Sequence, residues 1–269
     1  SDLLRAISSF DLQELMNSKG KLGKTTIGYI YTVIKNVFAK ATAEGAIDRN
    51  PAQGLTKPEC ETWARRALTD VETTATLKAG GEHPEGLLLL VLYYTGLRRG
   101  EAVGLQWRDI DFQARTLSVK RDFDFKKNAL GKTKSKAAIR TIPIPEELCN
   151  ALDRVRGIGE TMVFHHFFAG PNSPLQMYRN AWDSLRAALY ATEPKIEAKG
   201  KKSILTAHYF RHNYASLLYN GGVDVLTAQK WLGHADAKTT LSIYAHLSKD
   251  FELQNAQKLN DIFAKAAKK

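Results

Sequence analysis

Four residues in the last third of the chain have the types and spacing that phosphoryl transfer onto a phenol would need. His208 and Arg211 lie three residues apart, His234 follows Gly233, and Tyr244 comes ten residues after His234. A free phenol is a weak nucleophile at neutral pH, since its ordinary pKa is about 10. Donors aimed at the phosphate oxygens would therefore have to stabilise the charge of the transition state. The pattern indicates attack of a tyrosine on a phosphodiester.

An upstream segment, TGLRRGE, could complete such a site. It contains Arg98 and Arg99, with Glu101 on the next turn. A guanidinium stays charged and presents several donors in a fixed fork, so it suits the non-bridging oxygens of a phosphate. Glu101 could orient one of these arginines, and the same pair could instead serve only to cap a helix. Taken alone, this segment does not distinguish the two roles.

The charge of the chain favours a polyanionic partner. Among its 269 residues, 39 Lys and Arg outnumber 28 Asp and Glu, which gives a formal net charge of +11. An excess of this size is typical of nucleic-acid-binding proteins and predicts salt-dependent binding, although a basic enzyme of another class would also show it. Cys60 and Cys149 lack metal-site or disulfide spacing, so a reducing cytoplasmic setting is expected.

No segment predicts export or membrane insertion. The longest aliphatic run, LLLLVLYY at 87–94, is far shorter than the ~20 residues that a membrane span needs. The N-terminus lacks the basic-then-apolar pattern of a signal peptide. The chain opens on Ser1 rather than methionine, which we interpret as a sign that it is a fragment of a longer protein.

Hydrophobic periodicity predicts a mainly helical fold. Helical spacing, capping residues and terminal glycines predict helices over 24–44, after Thr69 or Asp70, over 87–95, over 173–192 and from 206 onward.

The middle of the chain predicts a small antiparallel sheet. TLSVKRDFDF at 116–125 and AIRTIPIP at 138–145 are rich in alternating and β-branched residues, and a lysine-rich stretch separates them. They are expected to be two strands joined by a lysine-rich hairpin. A Pro- and Gly-punctuated segment over 48–65 predicts a linker between two domains.

Several motifs, in their order, resemble those of the tyrosine recombinase (phage integrase) family. They are TGLRRGEAVGLQWRDIDF, KTKSKAAIRTIPIP, TAHYFRHNYAS and WLGHADAKTTLSIYAHL. The likeness is to integrases of conjugative transposons and related mobile elements. It implies a tyrosine-recombinase-like catalytic domain over 66–250, preceded by part of a helical core-binding domain over 1–47 and the linker over 48–65.

The resemblance also implies a role for each site residue. Tyr244 would be the nucleophile, Arg98 and Arg211 would hold the scissile phosphate, His208 would contact it and assist proton transfer, and His234 would supply a further hydrogen bond. The tyrosines of the preceding helix, Tyr209, Tyr214 and Tyr219, would be core or DNA-facing aromatics.

The family takes the proton for the leaving hydroxyl from a lysine on a β-hairpin turn. Lys132, Lys134 and Lys136 all lie in the expected turn. Counting back from the strand without a gap favours Lys134, whereas a hairpin of different length would favour a neighbour. The remaining lysines would bind the phosphate backbone, as would Lys24 at the start of the first long helix.

The resemblance implies site-specific DNA recombination through a 3′-phosphotyrosyl intermediate, with no cofactor, ATP or catalytic metal. The implied partners are double-stranded recombination sites and further copies of the chain, a dimer on each site and a tetramer at synapsis, in a prokaryotic cytoplasm. Accessory DNA-bending or directionality factors are further candidate partners.

Residues 251–269 carry an apolar stripe that would fold back on its own domain or pack into a neighbouring protomer. Two alternatives are a type IB topoisomerase-like relative and a non-catalytic DNA-binding regulator.

Overall fold

The computed structural model describes residues 2–59, 66–133, 136–192 and 205–248. The chain divides into two compact units, 1–64 and 65–269, each with an apolar core of its own. Two of the predicted features, Lys134 and the terminal segment 251–269, lie outside the described residues.

Helices form the framework of the first unit. They are α1 (Asp2–Arg5), α2 (Ser9–Ser18) and α3 (Lys24–Ala43). Ser8 caps α2, and Met16 of α2 and Ile27 of α3 are buried in one apolar cluster. Ala52 and Leu55 are buried in the same core, so packed structure continues into the segment that the sequence predicts to be a linker. The predicted domain boundaries stay a prediction.

The second unit is mainly helical as well, which confirms the predicted fold class. Its helices within the described ranges are α4 (Asp70–Glu82), α5 (Gly86–Thr95), α6 (Arg99–Val103), α7 (Glu146–Asp153), α8 (Pro174–Thr192), α9 (Ala207–Asn220), α10 (Val225–Leu232) and α11 (Ala237–Ser248). Over the ranges that the structure describes, none of the helices combines the length and hydropathy needed to cross a bilayer.

Helix α5 is the central element of the second unit. It packs against α4, α7 and α9, and four of its apolar side chains, Leu88, Leu89, Val91 and Leu92, are completely buried. Burial of one such side chain contributes about 1.5–3 kcal/mol, so α5 is a firmly held support. It ends at Gly96, whose φ of +60° favours glycine. A larger residue would also not fit there, because a Cβ at this position would lie 2.6 Å from the Tyr214 ring. The residues that follow this stop therefore have a fixed position.

The strands form two separate antiparallel sheets. One has the order β1 (Ile110–Asp111), β2 (Thr116–Val119), β5 (Arg140–Pro143), and β3 (Arg121–Asp124) pairs with β4 (Ala129–Lys132) in the other.

Antiparallel pairing between the two predicted strand segments is confirmed, with Val119 opposite Arg140, but the single hairpin is wrong. The segment predicted as one strand breaks at Lys120. Lys120 and Arg121 both pair with the buried carboxylate of Asp109, a tertiary contact that redirects the chain and leaves room for the β3–β4 hairpin.

Candidate active site

Arg98 is held at the start of α6 by the carboxylate of Glu101. The Arg98 backbone N–H donates to Glu101 Oε2 at 2.9 Å, and its guanidinium Nη1 donates to Oε1 at 2.8 Å. The Glu101 side chain is buried, whereas the Arg98 side chain is 43% exposed. Glu101 thus both caps α6 and orients the Arg98 side chain, the two roles that the sequence alone did not distinguish. They leave part of the guanidinium open to solvent, where a phosphate could bind.

Arg211 lies on the buried side of the same cluster. It is on α9, which begins after Thr206, whose hydroxyl accepts a hydrogen bond from the Tyr209 N–H at 3.2 Å. Its guanidinium donates to the carbonyl of Gly96 at 3.0 Å and to that of Leu232. Burial and the nearby Arg98 charge lower the pKa of Arg211 to about 9, so it stays charged at neutral pH. Arg211 therefore joins the end of α5 to the end of α10.

His234 follows the left-handed turn that ends α10. Gly233 has a φ of +66°, which favours glycine, and the Gly233 carbonyl accepts a bond from Arg98 at 3.3 Å. His234 Nδ1 lies 2.8 Å from the buried Thr240 hydroxyl, and the His234 carbonyl accepts a bond from Gln229 at 3.1 Å. If Nδ1 accepts a hydrogen bond from the Thr240 hydroxyl, the neutral ring carries its proton on Nε2 and can donate a hydrogen bond there. This arrangement suits a hydrogen bond to a phosphate oxygen.

The surroundings of His234 keep its ring neutral. Burial, with the charges of Arg211, Arg98 and Arg140, lowers the pKa of His234 to about 4. An unfolded histidine has a pKa of about 6.5, so on acidification the unfolded chain takes up a proton before the folded chain does. His234 therefore contributes stability above about pH 6.5 that is lost as the pH falls toward its folded pKa.

This linkage predicts a difference in acid sensitivity between the wild-type chain and His234→Gln. The drop in Tm from about pH 7 to about pH 5 should be smaller in the variant, by about 2–4 °C, the shift that roughly 1 kcal/mol causes in a protein of this size. We expect only part of the full linkage because the ring is half-buried. Thermal melts of both proteins measure the effect, and a parallel loss of Tm would show that His234 does not titrate as stated.

Tyr244 lies on α11, with its hydroxyl bound to the protein backbone. The hydroxyl donates to the Val223 carbonyl, in the loop between α9 and α10, at 3.2 Å. The ring meets Tyr219 edge to face, with centroids 4.8 Å apart. Burial, the Asp224 carboxylate and Tyr219 raise the pKa of Tyr244 to about 12. In this conformation the phenol is protonated, and its proton is shared with the Val223 carbonyl.

His208 opens onto a cavity beside Arg98. The cavity has a volume of about 510 Å³, and its lining includes the cations Arg98, Arg99 and Arg179. Tyr178 and Trp182 form an aromatic wall, stacked with their centroids 6.1 Å apart. The result is an electropositive hollow with an aromatic side, which is a suitable shape for a nucleic-acid strand.

The predicted lysines are placed only in part. Lys132 ends β4, and Lys136 begins the short turn Lys136–Ala138, so these two residues flank Lys134 on either side. Lys24 begins α3 in the first unit and is exposed. The roles assigned to these lysines, like those of the other site residues, stay predictions.

One arginine of the cluster, Arg140 on β5, was not predicted from the sequence. Its side chain is 1% exposed and pairs with the equally buried Glu101, with Nη2 at 2.9 Å from Oε2. Burial opposes ionisation of Glu101, but hydrogen bonds and charge from Arg140 and Arg98 outweigh it and hold the pKa of this carboxyl below its ordinary value. A signal was present in the sequence: in AIRTIPI, Arg140 shares the inward face of the strand with Ile142 and Ile144.

Comparison with known proteins identifies the family to which this chain belongs. The model of the phage integrase family matches residues 70–250, which is most of the chain. The chain belongs to the phage integrase family. The matched range contains Arg98, Arg140, Arg211, His234 and Tyr244, so the cluster described above lies wholly within the family domain.

The relatives of this chain include tyrosine recombinases and an integrase. A XerC-like tyrosine recombinase of Caldanaerobacter subterraneus subsp. tengcongensis is 30% identical, over 96% of this chain and 72% of that protein. The ICEBs1 integrase of Bacillus subtilis is 27% identical, over 90% of this chain and 67% of that protein.

Among solved structures, the Tn1549 transposon integrase in complex with transposon right end DNA has the same fold. It has a TM-score of 0.67 at 22% identity, covering 95% of this chain and 86% of that one. These findings confirm the recognition of the family from the sequence motifs.

Proposed function

We propose that this member of the phage integrase family is a site-specific DNA recombinase of a mobile genetic element, which cleaves and rejoins DNA through a 3′-phosphotyrosyl intermediate. DNA cleavage and religation is the activity of its family, one relative is named as the ICEBs1 integrase, and the Tn1549 structural neighbour is named as a transposon integrase. The alternatives of a type IB topoisomerase-like enzyme and of a non-catalytic regulator are less favoured, because the relatives compared are named as recombinases and integrases.

One observation carries the proposal: charged residues from three separate motifs converge on one carboxylate and one turn. Arg98 and Arg140 bind Glu101, and Arg211 lies 4.0 Å from the same carboxylate. Three guanidinium groups face a single carboxylate here, and so the local charge is positive. A phosphodiester is the component of DNA that such a centre would bind.

The chemistry assigned to these residues is a balanced exchange of one phosphodiester for another. The Tyr244 oxygen forms a bond to phosphorus and gives up its proton, while the bond from phosphorus to the 5′-oxygen breaks and that oxygen gains a proton. Arg98, Arg211 and His234 would stabilise the non-bridging oxygens, and His208 would assist proton transfer. Because the bond energy is kept in the intermediate, rejoining needs no ATP. The arginines and a lysine supply the positive charge, so the proposed steps use no catalytic metal.

Lys134 is proposed to protonate the leaving 5′-oxygen. Its neighbours Lys132 and Lys136, and Lys24 of the first unit, are proposed to bind the DNA backbone. A substrate with sulfur in place of the leaving 5′-oxygen identifies the proton donor, because the sulfur leaves without being protonated. Substitution of the donor lysine should slow cleavage of the normal substrate but not of the sulfur substrate, whereas substitution of the other two lysines should affect both substrates alike.

The partners of the proposed reaction are double-stranded recombination sites and other copies of the chain. We propose a dimer on each site and a tetramer at synapsis, with residues 251–269 exchanged between protomers, and with DNA-bending or directionality factors as accessory partners. If deletion of 251–269 left cooperative DNA binding unchanged, the exchange of this segment would be rejected.

A suicide DNA substrate tests the proposed function. The substrate carries a nick next to the crossover site, so that the cleaved fragment diffuses away and the protein stays attached. Wild-type protein should give an adduct on a denaturing gel, without ATP and in the presence of a chelator. Binding of the DNA with no adduct would favour the non-catalytic regulator.

The cavity beside His208 predicts two DNA contacts. Arg99 and Arg179 line it together with Arg98, and each is exposed. If each binds one phosphate, Arg99→Ala and Arg179→Ala should each reduce the slope of log K against log salt by about 1. Arg156→Ala is a matched control, because Arg156 is a surface arginine that pairs with Asp153 and packs on Phe112. Equal slopes for all three variants and the wild-type protein would contradict the assignment.

A further inference from the structure

We propose that Arg140 is a positioning residue for DNA cleavage, which holds Arg98 and the turn before His234 in the arrangement that the scissile phosphate requires. The proposal rests on the recombinase function above. Arg140 does not itself bind DNA, because its side chain is 1% exposed.

The donors of Arg140 are almost completely used within the protein. Nη1 donates to Glu101 Oε1 at 3.1 Å and to the Ala138 carbonyl at 2.9 Å, and Nη2 donates to Glu101 Oε2 at 2.9 Å. Nε donates to the Trp231 carbonyl at 2.6 Å. A guanidinium has five N–H donors, so a single donor remains beyond these bonds. Arg140 therefore acts on the site through the groups that it holds.

The first of these groups is the carboxylate that orients Arg98. Arg140 binds both oxygens of Glu101 side by side, and this paired geometry fixes the plane of the carboxylate. The same two oxygens accept the Arg98 backbone N–H and its guanidinium. The direction of the exposed Arg98 fork thus depends on a carboxylate whose orientation Arg140 sets.

The second group is the turn that presents His234. Arg140 binds the carbonyl of Trp231, and Arg98 binds that of Gly233, so both arginines hold the last turn of α10. A Cβ on Gly233 would lie 2.9 Å from Arg140 Nη1, so glycine allows the backbone to approach the guanidinium this closely. Arg140 is the strand residue that ties β5 to this turn, directly before His234.

Arg140→Lys should lower the single-turnover cleavage rate about 10²-fold, while the Kd for DNA changes by less than about 3-fold. Lysine keeps a positive charge beside Glu101 but has no fork, and a displacement of a catalytic group by about 1 Å can cost 10²-fold in rate. Arg121→Lys is the matched control, because Arg121 also pairs with a buried carboxylate, that of Asp109. Its cleavage rate should stay within about 3-fold of wild type.

A second substrate separates positioning from general damage to the fold. A methylphosphonate at the scissile position removes the negative charge that Arg98 would bind. If Arg140 acts through Arg98, the deficit of Arg140→Lys should shrink to about 3-fold on this substrate, as should that of Arg98→Ala. Damage to the fold would give the same deficit on both substrates.

Three kinetic results would overturn the proposal: a wild-type rate for Arg140→Lys, equal deficits on the two substrates, or an equal deficit in Arg121→Lys. Arg140→Gln provides a second variant should the lysine variant fail to fold, as judged by thermal melting. If neither folds, Arg140 is a stability residue and the positioning role is rejected. A wild-type protein that forms no adduct would count against the recombinase function itself, whereas normal cleavage by the Arg140 variants counts against this proposal alone.

Discussion

Tyr244→Phe should abolish the covalent protein–DNA adduct and leave DNA affinity nearly unchanged. The substitution removes the only atom that attacks phosphorus in the proposed reaction, and loss of a nucleophile lowers turnover by about 10⁴-fold or more. It also removes one hydrogen bond, from the hydroxyl to the Val223 carbonyl. Such a bond contributes about 0.5–1.5 kcal/mol, so the variant should remain folded.

Tyr219→Phe is the matched control for this experiment. Tyr219 packs edge to face on Tyr244, and phenylalanine preserves that ring contact. We expect an adduct with Tyr219→Phe and none with Tyr244→Phe, on the same nicked substrate. An adduct of normal yield with Tyr244→Phe would assign the nucleophile elsewhere, while loss of the adduct in both variants would point to disturbed packing rather than to chemistry.

Glu101→Ala should have the largest effect on stability. Glu101 is the carboxylate on which Arg98 and Arg140 converge, and its removal leaves the buried Arg140 guanidinium without a counter-ion. Breaking a buried ion pair by removing one partner costs about 3–5 kcal/mol of the free energy of unfolding. Cleavage should fall as well, because Arg98 loses the group that orients it.

Denaturant unfolding of the full chain measures this effect. Glu160→Ala is the control, because Glu160 pairs with Arg108 on the surface and its side chain is 75% exposed. A surface pair contributes about 0–1 kcal/mol, so this variant should be close to wild type. Equal unfolding free energies for the two variants would contradict the importance of the buried network.

Motifs and helices of this chain were predictable because their signals are local. Gly96 and Gly233 mark helix ends that the structure reproduces, and Thr69 caps α4 as its position suggests, with its hydroxyl accepting from the Glu72 N–H at 3.2 Å. The family was predictable for a related reason: its motifs have a fixed order, and order survives where overall identity is low.

Features that depend on distant contacts were not predictable in the same way. The break between β2 and β3 depends on Asp109, whose ion pairs with Lys120 and Arg121 are tertiary. The inward face of β5 could mark Arg140 as buried, but its carboxylate partner could not be predicted, because Glu101 lies 39 positions away in the sequence. The Val223 carbonyl that holds the Tyr244 hydroxyl has no sequence signal at all, since every residue has a carbonyl.

The buried network also explains why the site tolerates a high density of positive charge. Glu101 offsets part of it, and the carbonyls of Gly96, Trp231, Leu232 and Gly233 accept bonds from the guanidinium groups. These carbonyls are fixed by the ends of α5 and α10. In the proposed reaction, the guanidinium groups would thus be held in place before DNA binds, which is the arrangement that stabilises a transition state most effectively.

The most direct test of the proposed reaction is to identify the amino acid that carries the DNA. The adduct from a nicked substrate would be digested with a nuclease and a protease, and the modified peptide sequenced by tandem mass spectrometry. The proposed reaction predicts a nucleotide joined through its 3′-phosphate to Tyr244, on a peptide of α11. Attachment to another residue, or through a 5′-phosphate, would contradict it.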